Sequence, residues 1–189
     1  MSELTSAINQ HLACEFQASH TYLAMSIWLR EKDLTGFSTF METKSNEERT
    51  HASRMIAFLV DNDQKVVLPS VNAPSGEWDS LENLFSNVYE MEKEVTASIN
   101  NIYSLADKVN NRAATVMLDW FVSEQVKEEA ESRFICKRLK LANTNTAAIL
   151  LLYQQFLDGT FLSNIQGTTS ANPAGGALKE ILEITIMNQ

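Results

Sequence analysis

Four long segments of this chain repeat apolar residues at alternating spacings of three and four, and polar residues interrupt each repeat near its middle. The second segment shows this most fully, with the series Phe37, Met41, Lys44, Glu48, His51, Met55 and Phe58. Residues at this spacing lie on one side of an α-helix, so Glu48 and His51 would fall on the face that packs inside the fold. A buried carboxylate is costly unless it is paired or binds a metal ion. The pattern therefore predicts a helical bundle with a polar layer half-way along it.

The other three segments have the same pattern. Their series are Leu4, Ile8, His11, Glu15, Ala18, Tyr22, Met25 and Leu29, then Leu81, Phe85, Val88, Glu92, Val95, Ile99, Ile102, Ala106 and Val109, then Ala114, Leu118, Phe121, Gln125, Glu128, Ser132, Ile135 and Leu139. In a bundle of helices of similar length, mid-helix positions fall in one layer whichever way each helix runs. The polar residues expected to meet in that layer are Glu15, Glu48, His51, Glu92, Gln125 and Glu128.

The residue types in this layer are those that bind metal ions. Four buried carboxylates would repel one another strongly, and two divalent metal ions would neutralise that charge. Oxygen-rich ligation with one nitrogen suits iron or manganese. A single buried Glu in a helix is more often a paired residue than a ligand, and one Glu-x-x-His motif arises often on exposed helices. All four apolar series, however, are interrupted in the same layer, and the interrupting residues are of types that bind metal ions. This coincidence favours the metal site.

Polar breaks separate the predicted helices. Residues 33–36 form a short break, which makes the first two helices antiparallel neighbours. Residues 62–80 carry two prolines and are too long for a tight turn, so they are predicted to carry the chain from one end of the bundle to the other. A short fifth helix, ending near Leu157, is apolar all round and is expected to be buried, in part against other subunits. The fold class expected is all-α, a four-helix bundle with a long second connection and a short fifth helix.

The domain organisation follows from these elements. Residues 1–159 are predicted to form one domain. Residues 160–189 are predicted to be a linker-like C-terminal extension, partly disordered, because residues 167–176 are rich in small and polar residues. A peptide that docks on a shell surface or a partner is the alternative for this extension.

Composition restricts the partners and the compartment. The 189 residues carry a formal net charge of −9, which argues against nucleic acid as a partner because phosphate binding needs a basic face. No apolar run reaches about 18 residues, so no membrane span is expected. The N-terminus lacks the basic and apolar regions of a signal peptide, and Cys14 and Cys136 are isolated cysteines, expected to be reduced thiols. We therefore expect a cytoplasmic protein.

At this point the residues resemble those of the ferritin family, from about Leu4 to Leu157. The matching stretches are Glu15 with Tyr22, Asn46-Glu47-Glu48-Arg49-Thr50-His51, Tyr89-Glu90-Met91-Glu92, and Trp120-Phe121-Val122-Ser123-Glu124-Gln125-Val126-Lys127-Glu128-Glu129. The short first connection, the long crossover between the second and third helices and the short fifth helix are also similar to the ferritin-like fold. The resemblance is to prokaryotic, non-haem, ferroxidase-active ferritins.

The resemblance implies a role for each residue of the layer. Glu15, Glu48 and His51 would bind the first iron, with Glu48 as a bridge. Glu92, Glu48 and Glu128 would hold the second iron, with Gln125 beside it. Tyr22 would sit next to the pair, where it would hydrogen-bond a ligand or donate an electron, and a core tyrosine with a satisfied hydroxyl is the equal alternative. His11 lies one turn from Glu15 and is expected to be a core or interface histidine, with support of the ligand Glu15 as the alternative.

Three departures refine the type of ferritin. Gln125-x-x-Glu128 stands where a symmetric di-iron site has Glu-x-x-His, which is typical of asymmetric ferritins and not of bacterioferritins. Arg49 stands where haem-binding bacterioferritins carry Met, so no haem is expected. Glu47 and Glu124 fit a third iron site, but Lys127 occupies a position that usually supplies another acid, and Lys44 adds positive charge nearby, so the third site is left open.

The function implied is iron storage linked to ferroxidase activity. Two Fe(II) ions would be oxidised with O2 or peroxide at the di-iron centre, and Fe(III) would be stored as a mineral inside a hollow homo-oligomeric shell of 24 subunits. Two alternatives remain at this point. One is a di-iron or di-manganese oxidase or oxygenase acting on an organic substrate. The other is a structural shell subunit or miniferritin-like protectant without its own oxidation site.

Overall fold

The computed structural model describes residues 1–161, which form five α-helices. The helices are α1 (Glu3–Arg30), α2 (Thr35–Asp61), α3 (Leu81–Lys108), α4 (Arg112–Ala142) and α5 (Thr146–Leu157). These bounds confirm the predicted all-α fold, with four long helices, a long connection between α2 and α3, and a short fifth helix.

Polar side chains begin four of the helices. Ser2 Oγ accepts a hydrogen bond from the backbone N–H of Thr5 at the start of α1. Ser80 does the same for Asn83 at the start of α3, and two asparagines do so for α4 and α5. Such caps satisfy N–H groups that have no partner within the helix. The break after α1 contains Asp33, whose backbone takes a positive φ of 58° that a continuing helix does not allow.

Two apolar clusters fill the bundle, and the polar layer lies between them. One cluster joins Met25, Leu29, Phe37, Phe85, Val88, Ile135 and Leu139. The other joins Leu4, Ile8, Leu12, Met55, Leu59, Ile99, Ile102, Leu118 and Phe121. Each large side chain of this kind contributes roughly 1.5–3 kcal/mol when fully buried. The burial of apolar residues on both sides of the layer stabilises the fold enough to hold charged residues in the middle.

The helices pack as two pairs. α1 packs chiefly on α2, α3 packs chiefly on α4, and α1 also contacts α3. α5 packs across α2 and α4. A Cβ at Gly36 would lie 3.1 Å from Leu157 Cγ, so the glycine allows α5 to approach α2 closely. Within α5, Leu152 is fully buried, whereas Leu150 and Leu151 are 55% and 64% exposed.

The long connection between α2 and α3 is tied to α1 by side-chain hydrogen bonds. Asn9 Nδ2 donates to the carbonyl of Lys65 at 3.0 Å, and Asn9 Oδ1 accepts from the N–H of Val67 at 2.7 Å. Trp28 Nε1 donates to Glu77 further along the connection. The two bonds of Asn9 supply partners for backbone groups of a segment that has no regular structure of its own.

The packed part of the chain includes Phe161, which is 2% exposed and stacks on Phe156 with ring centroids 4.0 Å apart. The predicted character of the C-terminal extension otherwise lies outside the described residues. Within residues 1–161, no helix combines the length and the apolar character that crossing a membrane requires.

Candidate metal centre

Three ionisable side chains from two helices converge in the middle of the bundle. Glu15 of α1 and Glu48 and His51 of α2 each offer a ligand atom, and these atoms all lie within 4.8 Å of one another. His51 Nδ1 lies 3.0 Å from Glu48 Oε2 and 3.7 Å from Glu15 Oε2. All three residues are buried. One imidazole nitrogen and two carboxylates at such spacings are a ligand set for a transition metal.

The second carboxylate oxygen of Glu15 is the clearest sign that the group can take a cation. Glu15 Oε2 is fully buried and, within the described chain, has no hydrogen-bond partner. A buried acceptor without a partner is rare in native proteins and costs free energy. A metal ion bound beside Glu48 and His51 would satisfy this oxygen, so the chemistry of the donor set fits.

His11 fixes the other oxygen of Glu15. His11 Nε2 lies 2.7 Å from Glu15 Oε1, and His11 Nδ1 lies 2.7 Å from Ser98 Oγ on α3. The residue is 1% exposed, as expected of a core histidine. It also orients a predicted ligand, the alternative role that its position one turn from Glu15 on α1 offered.

The other half of the layer is held by hydrogen bonds. Tyr22 Oη donates to Glu92 Oε1, and both residues are buried. Gln125 Nε2 of α4 lies 3.2 Å from both Glu92 Oε2 and the Glu92 carbonyl oxygen. The Tyr22 hydroxyl is therefore satisfied, and its partner is a residue of the layer. This one contact fits a core tyrosine and also a tyrosine that lies next to the predicted ligands.

Electrostatics tie these carboxylates together. Burial, with the charges of Glu15 and Glu92, raises the pKa of Glu48 well above its ordinary value. Burial and the charge of Glu128 raise the pKa of Glu92 to about 7. Burial would also raise the pKa of Glu15, but contacts with His11 and His51 outweigh burial and lower it to about 2. The layer therefore favours protons on some carboxylates and negative charge on others.

The pKa of His51 is shifted in the same environment. Burial lowers it, but the interactions with Glu15 and Glu48 are stronger and raise it to about 10. A histidine ligates a metal only after it loses its proton. A metal ion that binds this group therefore takes the place of a proton on His51.

A buried lysine occupies the α2–α4 side of the layer. Lys44 Nζ lies 2.7 Å from Glu128 Oε2, 2.6 Å from Glu131 Oε2 and 3.2 Å from Glu47 Oε2. Burial lowers the pKa of Lys44, but the three negative charges outweigh burial and raise it. Among residues 1–161, Glu92 and Glu128 do not join a compact group like that of Glu15, Glu48 and His51.

Sequence reasoning missed Glu131 as a member of this cluster. Its signal was its position three residues after Glu128, which puts both carboxylates on one face of α4. Glu131 is 8% exposed, and burial raises its pKa while Lys44 opposes that shift. The lysine compensates two buried carboxylates of α4.

The residues predicted for a third iron site lie along a groove between α2 and α4. Glu124 Oε1 accepts from Lys127 Nζ at 2.6 Å, and Glu47 contacts Lys44. The groove has a volume of about 1010 Å³ and its lining includes Thr43, Lys44, Glu47, Thr50, His51, Trp120, Glu124, Lys127, Glu128 and Glu131. It connects solvent with His51 and Glu128.

Comparison with known proteins agrees with this fold. Residues 5–142 match the sequence model of the ferritin family, described as a ferritin-like domain. A bacterial non-heme ferritin of Campylobacter jejuni is 32% identical over 161 residues, which cover 85% of this chain and 96% of that protein. A bacterial non-heme ferritin of Escherichia coli O6:H1 is 30% identical over 140 residues, which cover 74% of this chain and 85% of that protein.

Solved structures give the same result. An open pore ferritin from the hyperthermophilic archaeon Archaeoglobus fulgidus superposes with a TM-score of 0.80 at 33% identity, over 82% of this chain and 97% of that chain. The match of the family model and the near full-length coverage of a relative at this identity confirm the resemblance read from the sequence. The chain belongs to the ferritin family.

Proposed function

We propose that this chain is an iron-storage subunit with ferroxidase activity, in which the mid-bundle layer binds two Fe(II) ions and oxidises them. The observation that carries the proposal is the buried group of Glu15, Glu48 and His51, in which Glu15 Oε2 has no hydrogen-bond partner among the described residues. Membership of the ferritin family supports the same function. The activity is that of an Fe(II):oxygen oxidoreductase.

Each half of the layer has a defined part in the proposal. Glu15, Glu48 and His51 bind the first Fe(II). Glu92 and Glu128 bind the second, with Glu48 shared between the two ions and Gln125 beside Glu92. The fixed positions of these side chains hold two ions at a distance at which both react with one oxidant molecule.

The reaction balances with either oxidant. Two Fe(II) ions give two electrons and become two Fe(III) ions. One O2 takes those electrons with two protons and becomes hydrogen peroxide, or one hydrogen peroxide takes them with two protons and becomes two waters. The raised pKa values of Glu48 and Glu92 favour the protonated forms of these carboxylates before iron binds, and iron binding displaces the protons that they carry.

Tyr22 has two roles in the proposal, and both use the same contact. Its hydroxyl donates a hydrogen bond to Glu92, which keeps that carboxylate in the layer. Its buried phenol also lies next to the layer, and when only one Fe(II) is bound it would supply the second electron together with a proton, becoming a tyrosyl radical, so that one electron from iron and one from Tyr22 reduce O2 to hydrogen peroxide. The first role makes Tyr22 a positioning residue, and the second makes it a catalytic one.

We further propose that the subunits assemble into a hollow shell of 24 copies in the cytoplasm, where Fe(III) is stored as a mineral. The exposed leucines on α5 support assembly, because an apolar helix face open to water is commonly covered by another chain. Arg49 is exposed and no haem site is proposed. Size-exclusion chromatography tests the shell, since a monomer or dimer would remove the storage claim and leave the metal layer intact.

An oxidase or oxygenase acting on an organic substrate is the other candidate. Such an enzyme needs an apolar channel to its metal centre. The groove that reaches His51 and Glu128 carries Lys44, Glu47, Glu124 and Lys127 along its walls. Together with Glu128 and Glu131, the groove carries four carboxylates and two lysines, and this excess of negative charge favours a cation as the species that reaches the layer.

Aerobic Fe(II) addition with stopped-flow absorbance tests the proposed reaction. We expect Glu48→Ala to oxidise iron far more slowly than the wild type, because the shared ligand is missing. The matched control is Glu42→Ala, which removes an exposed glutamate of the same helix whose side chain pairs with Arg30. Equal initial rates in wild type and Glu48→Ala would overturn the assigned site.

A further inference from the structure

The two halves of the layer differ in how their carboxylate oxygens are occupied. In the first half, Glu15 Oε2 has no hydrogen-bond partner among the described residues. In the second half, donors already hold the oxygens, since Tyr22 and Gln125 hold the two oxygens of Glu92 and Lys44 holds Glu128 Oε2. A metal ion that enters the first half takes the place of a proton on His51 and finds Glu15 Oε2 open. In the second half it meets a side-chain donor on each of three carboxylate oxygens, those of Glu92 and one of Glu128.

Of these donors, Lys44 is the one that carries charge. Its ammonium lies 2.7 Å from Glu128 and 2.6 Å from Glu131, in a side chain that is 8% exposed. Charge-assisted hydrogen bonds at these distances are about twice as strong as neutral ones. The lysine also lines the groove through which solvent reaches Glu128, so it lies where an incoming cation would arrive.

We propose that Lys44 is a tethered cation that competes with the second metal ion for Glu128. The competition weakens binding in the second half of the layer and leaves the first half unaffected. Lys44 is thus a positioning residue that sets how easily the second ion enters and leaves. The inference rests on the proposed metal layer, because it concerns the filling of that layer.

The geometry also defines a matched control. Lys127 lines the same groove, but its contact is with Glu124 at 2.6 Å, and its side chain is 67% exposed. Removing Lys127 changes the charge of the groove by the same amount as removing Lys44. It does not free an oxygen of Glu128, so it separates direct competition from a general effect of charge.

The test is anaerobic titration of the assembled protein with Zn(II), followed by calorimetry, since zinc binds the same ligand types without redox chemistry. The binding steps that belong to the layer are those that Glu48→Ala loses. We expect Lys44→Met to strengthen the second of these steps about tenfold to a hundredfold, the range of a charged hydrogen bond. The Zn(II) affinity of the first step should stay within about twofold of the wild type in Lys44→Met. Both affinities should do so in Lys127→Met, because a twofold change is well below the effect of losing a charged contact.

Lys44→Met leaves buried carboxylates without a counter-charge and can fail to fold. The double variant Lys44→Met/Glu131→Gln removes one charge of each sign and keeps the balance, and it should show the same strengthened second step. A second step that is unchanged in both variants would overturn the role of Lys44 while leaving the layer in place. Identical titrations of wild type and Glu48→Ala would overturn the layer itself, and with it the inference.

Discussion

His11 Nε2 lies 2.7 Å from Glu15 Oε1, one helical turn along α1, and Glu15 Oε2 lies 3.7 Å from His51. One carboxylate oxygen is thus anchored, and the other faces the metal group. Residues that hold a metal ligand in place in this way typically change metal affinity by about 10–100-fold when they are removed.

We therefore expect His11→Leu to weaken the first Zn(II) step about tenfold, because Glu15 loses the hydrogen bond that orients it. Calorimetric titration measures the change. His20→Leu on the exposed face of the same helix is the control and should leave both steps unaltered. An unaltered first step in His11→Leu would show that the His11–Glu15 contact supports packing alone.

Metal binding should release protons at neutral pH. In the metal-free protein the pKa of His51 is raised to about 10, so His51 holds a proton at pH 7, and the pKa of Glu48 is also raised, which favours its protonated form. A metal ion must displace these protons, and metal affinity should therefore rise as pH rises from 6 to 8. Calorimetry in two buffers of different ionisation enthalpy measures the protons released. Binding heats that do not depend on the buffer would contradict the raised pKa values.

Tyr22→Phe should move the pH dependence of the second metal step upward. The pKa of Glu92 is about 7, with burial raising it and the hydrogen bond from Tyr22 lowering it. Without the hydroxyl, Glu92 keeps its proton to higher pH, so second-step affinity should fall near pH 7 and recover in more alkaline solution. Tyr103→Phe is the control, because it removes a tyrosine hydroxyl bonded to Asp119 outside the layer. A second-step pH profile that Tyr22→Phe does not move would rule out this effect.

The helical series and their polar interruptions were enough to predict the fold and the layer. Apart from Val109, which follows the end of α3 and is exposed, the apolar residues at the ends of the four series pack into or against the bundle. The interruptions meet between two apolar clusters, as the 3.6-residue period requires. Glu15, Glu48 and His51 come together for this reason. The spacing determines which helix face each residue occupies. The packing of those faces against one another then brings the polar residues of different helices together.

The partners of Lys44 could not be predicted in the same way. The series placed Lys44 on the inner face of α2, but the length and freedom of its side chain leave open which carboxylate it reaches. Its contact with Glu131 depends on the rotation of α4 relative to α2, which periodicity within one helix does not define. The sequence accordingly indicated a positive charge near Glu47 and Glu124, but it did not show that the Lys44 ammonium contacts Glu128.

Asn9→Ala should destabilise the protein more than Gln17→Ala. Both side chains tie α1 to the long connection, but Asn9 is buried and bonds two backbone groups, whereas Gln17 bonds Asn72 at an exposed position. We expect a loss of roughly 1–3 kcal/mol for Asn9→Ala, the loss of two hydrogen bonds at about 0.5–1.5 kcal/mol each. Urea unfolding of the metal-free protein measures both variants. A larger loss for Gln17→Ala would contradict this ranking of the two contacts.

The central claim is that one layer binds two metal ions that share Glu48. The most direct measurement is a crystal structure of the protein loaded with Zn(II), with anomalous scattering used to locate the ions. We expect two peaks about 3.5–4 Å apart, one ligated by Glu15 and His51, the other by Glu92 and Glu128, and both by Glu48. The absence of any metal peak among these residues, with zinc bound elsewhere in the same crystal, would contradict the account.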